Sequence, residues 1–117
     1  MVNLQHFSKK VGFFRKERAL AVVVTVSEVV APEQDFAQFR EGFTKWAAEL
    51  GSSCKELHFT FTAKDTRQPH VLGFFRLLLD DTEVSDLLGG MQMRLQFPSM
   101  SKAVADETHA RIYAKEL

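Results

Sequence analysis

An apolar segment at residues 19–30 stands out in the pattern of hydrophobic and polar positions along the chain. Alternate residues of a strand fall on opposite faces, and here both faces begin apolar while the second becomes polar toward Thr25. The two sets are Leu20, Val22, Val24 and Val26 on one face and Ala21, Val23, Thr25 and Ser27 on the other. The pattern predicts a strand inside a sheet that is covered on both sides.

A long helix is predicted after this strand. Pro32 suits the first turn of a helix, and the carboxylates of Glu33 and Asp35 oppose the positive end of the helix dipole. Gly51 marks the predicted end of the helix. Apolar residues recur between these points at helical spacing, namely Phe36, Phe39, Phe43, Trp46 and Leu50. Such a stripe is typical of a helix that packs on a hydrophobic core.

Two further strands are predicted in the middle of the chain. Residues 55–63 have a period of two, with an apolar set and a polar set. The sets are Leu57, Phe59, Phe61 and Ala63 against His58, Thr60 and Thr62. Residues 71–79 are apolar on both faces except at Arg76, which predicts a central strand, and the turn-rich residues 65–69 predict a hairpin. A buried Arg76 needs a carboxylate, for which Glu28 and Glu56 are the candidates, or a wet cavity.

The last third of the chain changes to shorter elements. A short helix is predicted after a cap at Asp81 or Thr82, and the pair Gly89-Gly90 ends it. Residues 91–97 alternate and are compatible with a short edge strand, although this segment is ambiguous. A helix is predicted from residue 98 through 105, and residues 111–117 are predicted to close the chain as a strand.

This order of elements predicts a ferredoxin-like α+β sandwich, in which an antiparallel sheet carries its helices on one face. A third strand that is apolar on both faces would expose a patch of several hundred Å² on the other side of the sheet. A second subunit that packs on the sheet would remove such a patch from water. The sequence therefore predicts a homodimer that forms through the sheet face.

The chain of 117 residues has the common size of one domain. Residues 1–18 form a basic amphipathic arm, and residues 19–117 form the predicted single domain. We expect the arm to pack on the domain as a strand or helix. Two alternatives stay open for it, an import sequence for mitochondria or another organelle and a contact with a partner or membrane surface.

Charge and cysteine content exclude several classes of function. Fifteen basic residues balance fifteen acidic ones, which removes the electrostatic reason to expect a nucleic-acid partner. The lone Cys54 allows no internal disulfide, and this favours a cytoplasmic location. The longest apolar run, residues 19–24, is far shorter than the roughly 20 residues of a membrane span.

Several segments together resemble the antibiotic-biosynthesis monooxygenase family of dimeric α+β barrels. The resemblance covers residues 19–80 and rests on the strand at 22–26, the helix at 36–50, the link at 51–54, the strand at 57–61 and the turn at 65–69 before Val71. It implies a homodimer whose two sheets face each other, with a pocket between sheet and helices. Members include cofactor-independent oxygenases, haem-degrading enzymes and proteins with no known reaction. Such proteins often carry a histidine after the third strand, and residues 80–90 contain none, so the resemblance implies an architecture and no catalytic residue.

The common motifs of reactive sites are missing. The four histidines are scattered and Cys54 has no second cysteine nearby, so we expect no metal and no cofactor. Gly89-Gly90 is not followed by the lysine of a phosphate-binding loop. A nucleophilic pair of Cys54 and His58 would need a bend, because residues four apart on a strand lie about 13 Å apart.

The polar strand faces supply the remaining candidates. His58, Arg76 and Tyr113 are the candidate catalytic residues, because a histidine can transfer protons near neutral pH and the other two can stabilise an anion or enolate. The candidate ligand-binding residues are Thr25, Thr60 and Thr62. The structural explanation is simpler, since an antiparallel sheet tolerates a polar face.

We therefore expect a homodimeric binding or assembly module that acts without turnover and takes a small-molecule ligand at most. The alternative is a cofactor-independent monooxygenase or isomerase that acts on a polycyclic or quinone-like molecule. A cavity of roughly 300 Å³ or larger with His58 or Arg76 in its wall would favour the enzyme.

Overall fold

A computed structural model describes residues 2–10, 18–26, 31–50, 54–62 and 66–117. Within these ranges the chain forms four strands and four helices in a mixed α/β fold. In chain order they are β1 (Val2–Lys10), β2 (Arg18–Val26), α1 (Pro32–Leu50), β3 (Cys54–Phe61), α2 (Gln68–Asp80), α3 (Thr82–Leu88), β4 (Gln92–Gln96) and α4 (Lys102–Tyr113).

The described strands form one sheet in the order β1-β2-β3-β4. Strands β2, β3 and β4 are parallel, and β1 pairs with β2 in the antiparallel direction. Val24 of β2 pairs with Phe59 of β3, which pairs in turn with Leu95 of β4. The predicted antiparallel ferredoxin-like sandwich is therefore wrong, and the dimeric α+β barrel that the resemblance implied is wrong with it.

The error lies at residues 71–79, which belong to helix α2 and not to a strand. The buried residues of α2 recur at helical spacing, namely Val71, Leu72, Phe74, Phe75 and Leu78. An apolar run without a period of two fits a buried helix as well as a buried strand, so periodicity alone cannot separate them. Pro69 lies in the predicted hairpin turn but occupies the first turn of α2, where its missing N–H costs nothing. The connection from β3 to β4 is therefore a helical crossover and not a hairpin, and the two strands are parallel.

The predicted strand at residues 111–117 is also wrong, because α4 continues to Tyr113. Thr108 and Ile112 lie one helical turn apart and are both buried, so this face of α4 packs on the protein. Lys115 adopts a left-handed backbone conformation (φ 59°), and the last residues form no strand.

Several elements confirm the sequence predictions. Helix α1 begins at Pro32, β3 covers the segment with a period of two, and β4 occupies the ambiguous segment before Phe97. Asp81 caps α3, and its side chain accepts a hydrogen bond from the backbone N–H of Val84 at 3.0 Å.

Part of the predicted N-terminal arm is the edge strand β1, which pairs with β2 from Val2↔Val26 to Lys10↔Arg18. The rest of the arm, residues 11–17, lies outside the described residues. So do residues 27–30, 51–53 and 63–65, which include the end of the first predicted strand, Ser27, Glu28 and the helix stop at Gly51.

The helices α1 and α2 lie side by side on one face of the sheet. Crossovers between neighbouring parallel strands are right-handed, and two of them in the same direction place their helices on the same face. The ring of Pro32 lies 3.4 Å from the position that a Cβ atom on Gly73 would occupy. The rings of Phe36 and Phe74 meet edge to face with centroids 6.1 Å apart. The first two turns of α1 therefore pack on the second turn of α2.

Aromatic rings fill the space between the sheet and the helices. Phe59 of β3 lies 5.3 Å from Phe39, 5.8 Å from Phe74 and 5.1 Å from Phe75, measured between ring centroids. The largest fully buried side chains include Phe39, Phe43, Phe59, Phe61, Phe74 and Phe75. Much of the phenylalanine excess thus lies in a core within one chain, where large apolar area is removed from water.

Candidate ligand-binding face

Six polar side chains share the face of β3 and β4 that points away from the core, and we call this surface the polar face. It consists of Glu56, His58, Thr60, Gln92, Arg94 and Gln96. Because side chains alternate along a strand, the burial of Leu57 and Phe59 on the helix side directs His58 and its neighbours to the opposite side. All six side chains are half-exposed or exposed. Parallel sheets usually bury both faces, so an uncovered polar face is a departure from the common arrangement.

A groove of about 350 Å³ runs across this face between β3 and β4, and we call it the sheet groove. Its lining residues are His58, Phe59, Thr60, Arg94, Leu95 and Gln96. His58 pairs with Arg94 and Thr60 with Gln96 in the sheet register. The Thr60 hydroxyl donates a long hydrogen bond of 3.5 Å to Oε1 of Gln96. The strands thus present four polar side chains as two adjacent pairs.

Glu56 lies beside the groove and holds the imidazole of His58. The distance from Nε2 of His58 to Oε2 of Glu56 is 2.9 Å. Both side chains retain exposure, 28% for His58 and 36% for Glu56. The contact fixes the orientation of the ring at the edge of the groove.

Three predicted site residues lie near one another on or beside this face. Thr25 of β2 pairs with Thr60 in the register and is half-buried. Thr62 follows the end of β3, where its backbone N–H donates to the carbonyl of Val26 at 2.9 Å. Its hydroxyl donates to the same carbonyl at 3.4 Å, so Thr62 is engaged in closing the sheet.

The structure does not bring Arg76 and Tyr113 to His58. Arg76 is an exposed residue of α2, so the predicted central strand with a buried ion pair is wrong at this position. Tyr113 ends α4 and is 56% exposed. Its hydroxyl donates to the backbone carbonyl of Met93 at 2.9 Å, and its ring stacks on His109. The three predicted catalytic residues therefore do not form one constellation.

Sequence reasoning missed Arg94 and Gln96 as site residues. They alternate with apolar neighbours, but this pattern predicts only a short edge strand and no site. The register that sets Arg94 beside His58 follows from tertiary pairing.

A buried polar cluster at the start of α1 and α2 was also missed. Asp35 is 3% exposed and Thr66 is 7% exposed. Oγ1 of Thr66 and Nδ1 of His70 are buried and have no hydrogen-bond partner within the described residues. Burial raises the pKa of Asp35, and charge interactions with neighbouring groups, His70 among them, act in the opposite direction. The first turns of two parallel helices are a common place for ligands in α/β folds, although this cluster places a carboxyl group there.

A second groove, of about 410 Å³, lies between α1 and α3 on the helix layer. Its lining residues are Thr44, Ala47, Ala48, Glu83, Asp86 and Leu87. Next to it Arg40 binds Oδ2 of Asp81 at 2.8 Å and Oε2 of Glu83 at 2.7 Å, which ties α1 to the start of α3. With these ion pairs made, the groove offers two carboxylates and small side chains but no charged donor among the described lining residues.

Comparison of the chain with protein-family models, curated proteins and solved structures finds no match. The described part of the chain holds no cluster of three His, Cys, Asp or Glu side chains with the geometry to bind a metal ion. None of its helices is long and apolar enough to cross a membrane.

Proposed function

We propose that this protein is a binding module that acts without turnover, and that its ligand lies in the sheet groove. One observation carries the proposal: the polar face of the parallel strands β3 and β4 is half-exposed or exposed, and four hydrogen-bonding side chains on it line a groove of about 350 Å³. This volume lies within the range of small-molecule sites, which use a few placed polar groups to orient a ligand.

The alternative of a cofactor-independent oxygenase or isomerase has less support. Its proposed machinery combined His58 with Arg76 and Tyr113, which lie on three different elements and point to different surroundings. The groove meets the volume that would favour an enzyme and has His58 in its wall. It is nevertheless an open surface groove, since Arg94 and Gln96 are exposed, and it lacks the exclusion of water that strengthens electrostatic interactions in a closed active site.

The homodimer that the sequence predicts through the sheet face is the competing proposal for this surface, but its original reason is lost. The reason was a strand at residues 71–79 that would expose apolar side chains, and these residues form helix α2. A dimer that packs sheet to sheet would also cover the groove. We therefore propose the ligand as the occupant of this face and treat the dimer as the competing outcome.

A fragment screen by NMR tests the proposal. The backbone amides of β3 and β4 are followed in ¹⁵N–¹H spectra of the full chain while mixtures of small molecules are added. We expect the shifts to concentrate at the groove, and the signals of bound fragments to stay unchanged over hours. Shifts confined to the helix layer, or signals of a reaction product, would contradict a non-catalytic module at this face.

A matched pair of variants locates the binding. Thr60→Val removes a hydroxyl from the groove, whereas Thr62→Val makes the same change just beyond the end of β3. We expect the first to weaken fragment binding and the second to leave it unchanged, because Thr62 is not a lining residue of the groove and its backbone N–H keeps the bond to the carbonyl of Val26. Equal effects of the two variants would place the binding elsewhere.

A further inference from the structure

The charges on the polar face are arranged unequally around the sheet groove. Arg94 is exposed and makes no ion pair with any described residue, whereas the carboxylate of Glu56 already binds His58 at 2.9 Å. In the sheet register Arg94 pairs with His58. Glu56 pairs with Gln92, two residues earlier along each strand. The groove wall therefore holds an arginine whose guanidinium makes no ion pair with a described residue.

The four polar side chains of the groove have the spacing of an anion site. Neighbouring strands lie about 4.8 Å apart, and residues two apart on one strand lie about 6.7 Å apart. His58, Arg94, Thr60 and Gln96 thus mark the corners of a patch of about 5 by 7 Å, which is the size of a carboxylate or phosphate group with its contact shell.

The chemistry of these side chains also suits an oxyanion. The guanidinium of Arg94 is a planar fork of N–H donors that matches two oxygens of a carboxylate or phosphate. The amide of Gln96 adds N–H donors, and the Thr60 hydroxyl can donate to a ligand in place of its long bond of 3.5 Å to Gln96. The only acid on the described polar face is Glu56, which lies outside the groove lining.

We propose that the sheet groove binds the oxyanion of a small molecule, a carboxylate or a phosphate, with Arg94 as the charged anchor and Thr60 and Gln96 as hydrogen-bond donors. The inference rests on the proposed function and adds the class of ligand to it. Glu56 positions His58 and repels an anion that approaches from its side, which confines the oxyanion to the Arg94 side of the groove.

Three probes of similar size and different charge test the inference. Benzoate and phenyl phosphate carry the two oxyanions, and benzamide is the neutral counterpart of benzoate. Binding is followed by NMR at the backbone amides of β3 and β4. We expect an oxyanion probe to bind with a Kd on the order of 1–10 mM, as fits a small ligand in an open groove. Benzamide should bind at least about tenfold more weakly, because a charged hydrogen bond to Arg94 is lost. Comparison of benzoate with phenyl phosphate shows which oxyanion the groove prefers.

Variants of the charged residues sharpen the test. Arg94→Gln should weaken oxyanion binding by about tenfold or more and leave benzamide unchanged. The matched control is Arg76→Gln, which removes another exposed arginine, on α2, and should change neither. Glu56→Gln should leave oxyanion binding as tight or tighter, because it removes a repulsive charge.

The outcomes separate this inference from the proposed function. If benzamide binds the groove as tightly as benzoate and Arg94→Gln changes neither, the oxyanion inference is overturned while the groove remains a ligand site. If none of the three probes shifts the groove amides but the fragment screen finds cations or neutral molecules there, the inference is again overturned and the binding module stands. If the screen also maps elsewhere, both are wrong.

Discussion

The carboxyl group of Asp35 is buried at the start of α1, and burial raises its pKa. The folded state then holds this proton more tightly than the unfolded chain, so protonation stabilises the fold. The stabilisation is complete below the ordinary aspartate pKa and is lost as pH rises through the raised pKa. Asp35→Asn removes the charge at similar size. We expect its free energy of unfolding, measured with urea, to exceed that of the parent at about pH 7 and to approach the parent value below about pH 4.

The exposed carboxyl of Asp106 on α4 is the control for this measurement. Asp106→Asn should change the free energy of unfolding little at either pH, as is usual for surface substitutions. A loss of stability in Asp35→Asn at neutral pH would contradict the prediction and would mean that the Asp35 charge is well compensated.

Asp81 should give the opposite pH dependence. The backbone N–H of Val84 and then the guanidinium of Arg40 lower the pKa of its carboxyl, since both stabilise the ionised form. The resulting stability is present above the ordinary aspartate pKa and is lost as pH falls through the lowered pKa. Asp81→Asn keeps a capping oxygen and loses the charge, so we expect a lower Tm near neutral pH. The difference should shrink as the medium becomes more acidic; a constant difference would refute the electrostatic origin.

At the scale of elements, two glycines in helix interiors test how closely α1 packs on its neighbours. Alanine is favoured over glycine in a helix by about 1 kcal/mol. A Cβ atom on Gly73 would lie 3.4 Å from Pro32, close to an ordinary contact, whereas one on Gly42 would lie 3.1 Å from Cδ1 of Leu4. We expect Gly73→Ala to stabilise the protein by up to about 1 kcal/mol in urea unfolding, and Gly42→Ala to gain less or to lose stability because Leu4 must move.

The comparison of the two alanine variants provides its own control, because the helix preference gained is the same in both. If Gly42→Ala were the more stable variant, the contact between α1 and β1 would be looser than the structure indicates.

At the scale of the whole molecule, the oligomeric state shows whether the polar face is a free surface or an interface between two copies of the chain. Because its described residues are polar and the buried aromatic residues lie on the helix side, we expect a monomeric mass by light scattering at micromolar concentration. A dimer that dissociates on Arg94→Glu, while the fold is unchanged by circular dichroism, would show that a second copy occupies the face. That result would remove the ligand proposal.

Local pattern was sufficient for much of the chain. The alternation of Leu57, Phe59 and Phe61 with polar residues determined β3, and it placed His58 and Thr60 on the polar face as predicted. Pro32 and the aromatic stripe determined α1, and Asp81 determined the start of α3. In each case the signal is a period or a cap within a single helix or strand, so it does not depend on distant partners.

The direction of the sheet and the composition of the groove needed the tertiary structure. The run around Arg76 is apolar enough for a strand or a helix. It forms a helix in which Phe74 packs on Phe39 of α1 and Phe59 of β3, and these contacts join segments that are far apart in the sequence. That single element decides whether β3 and β4 are antiparallel or parallel. Arg94 came beside His58 because strand register is set by pairing between segments far apart in the sequence, a relation that no local period encodes.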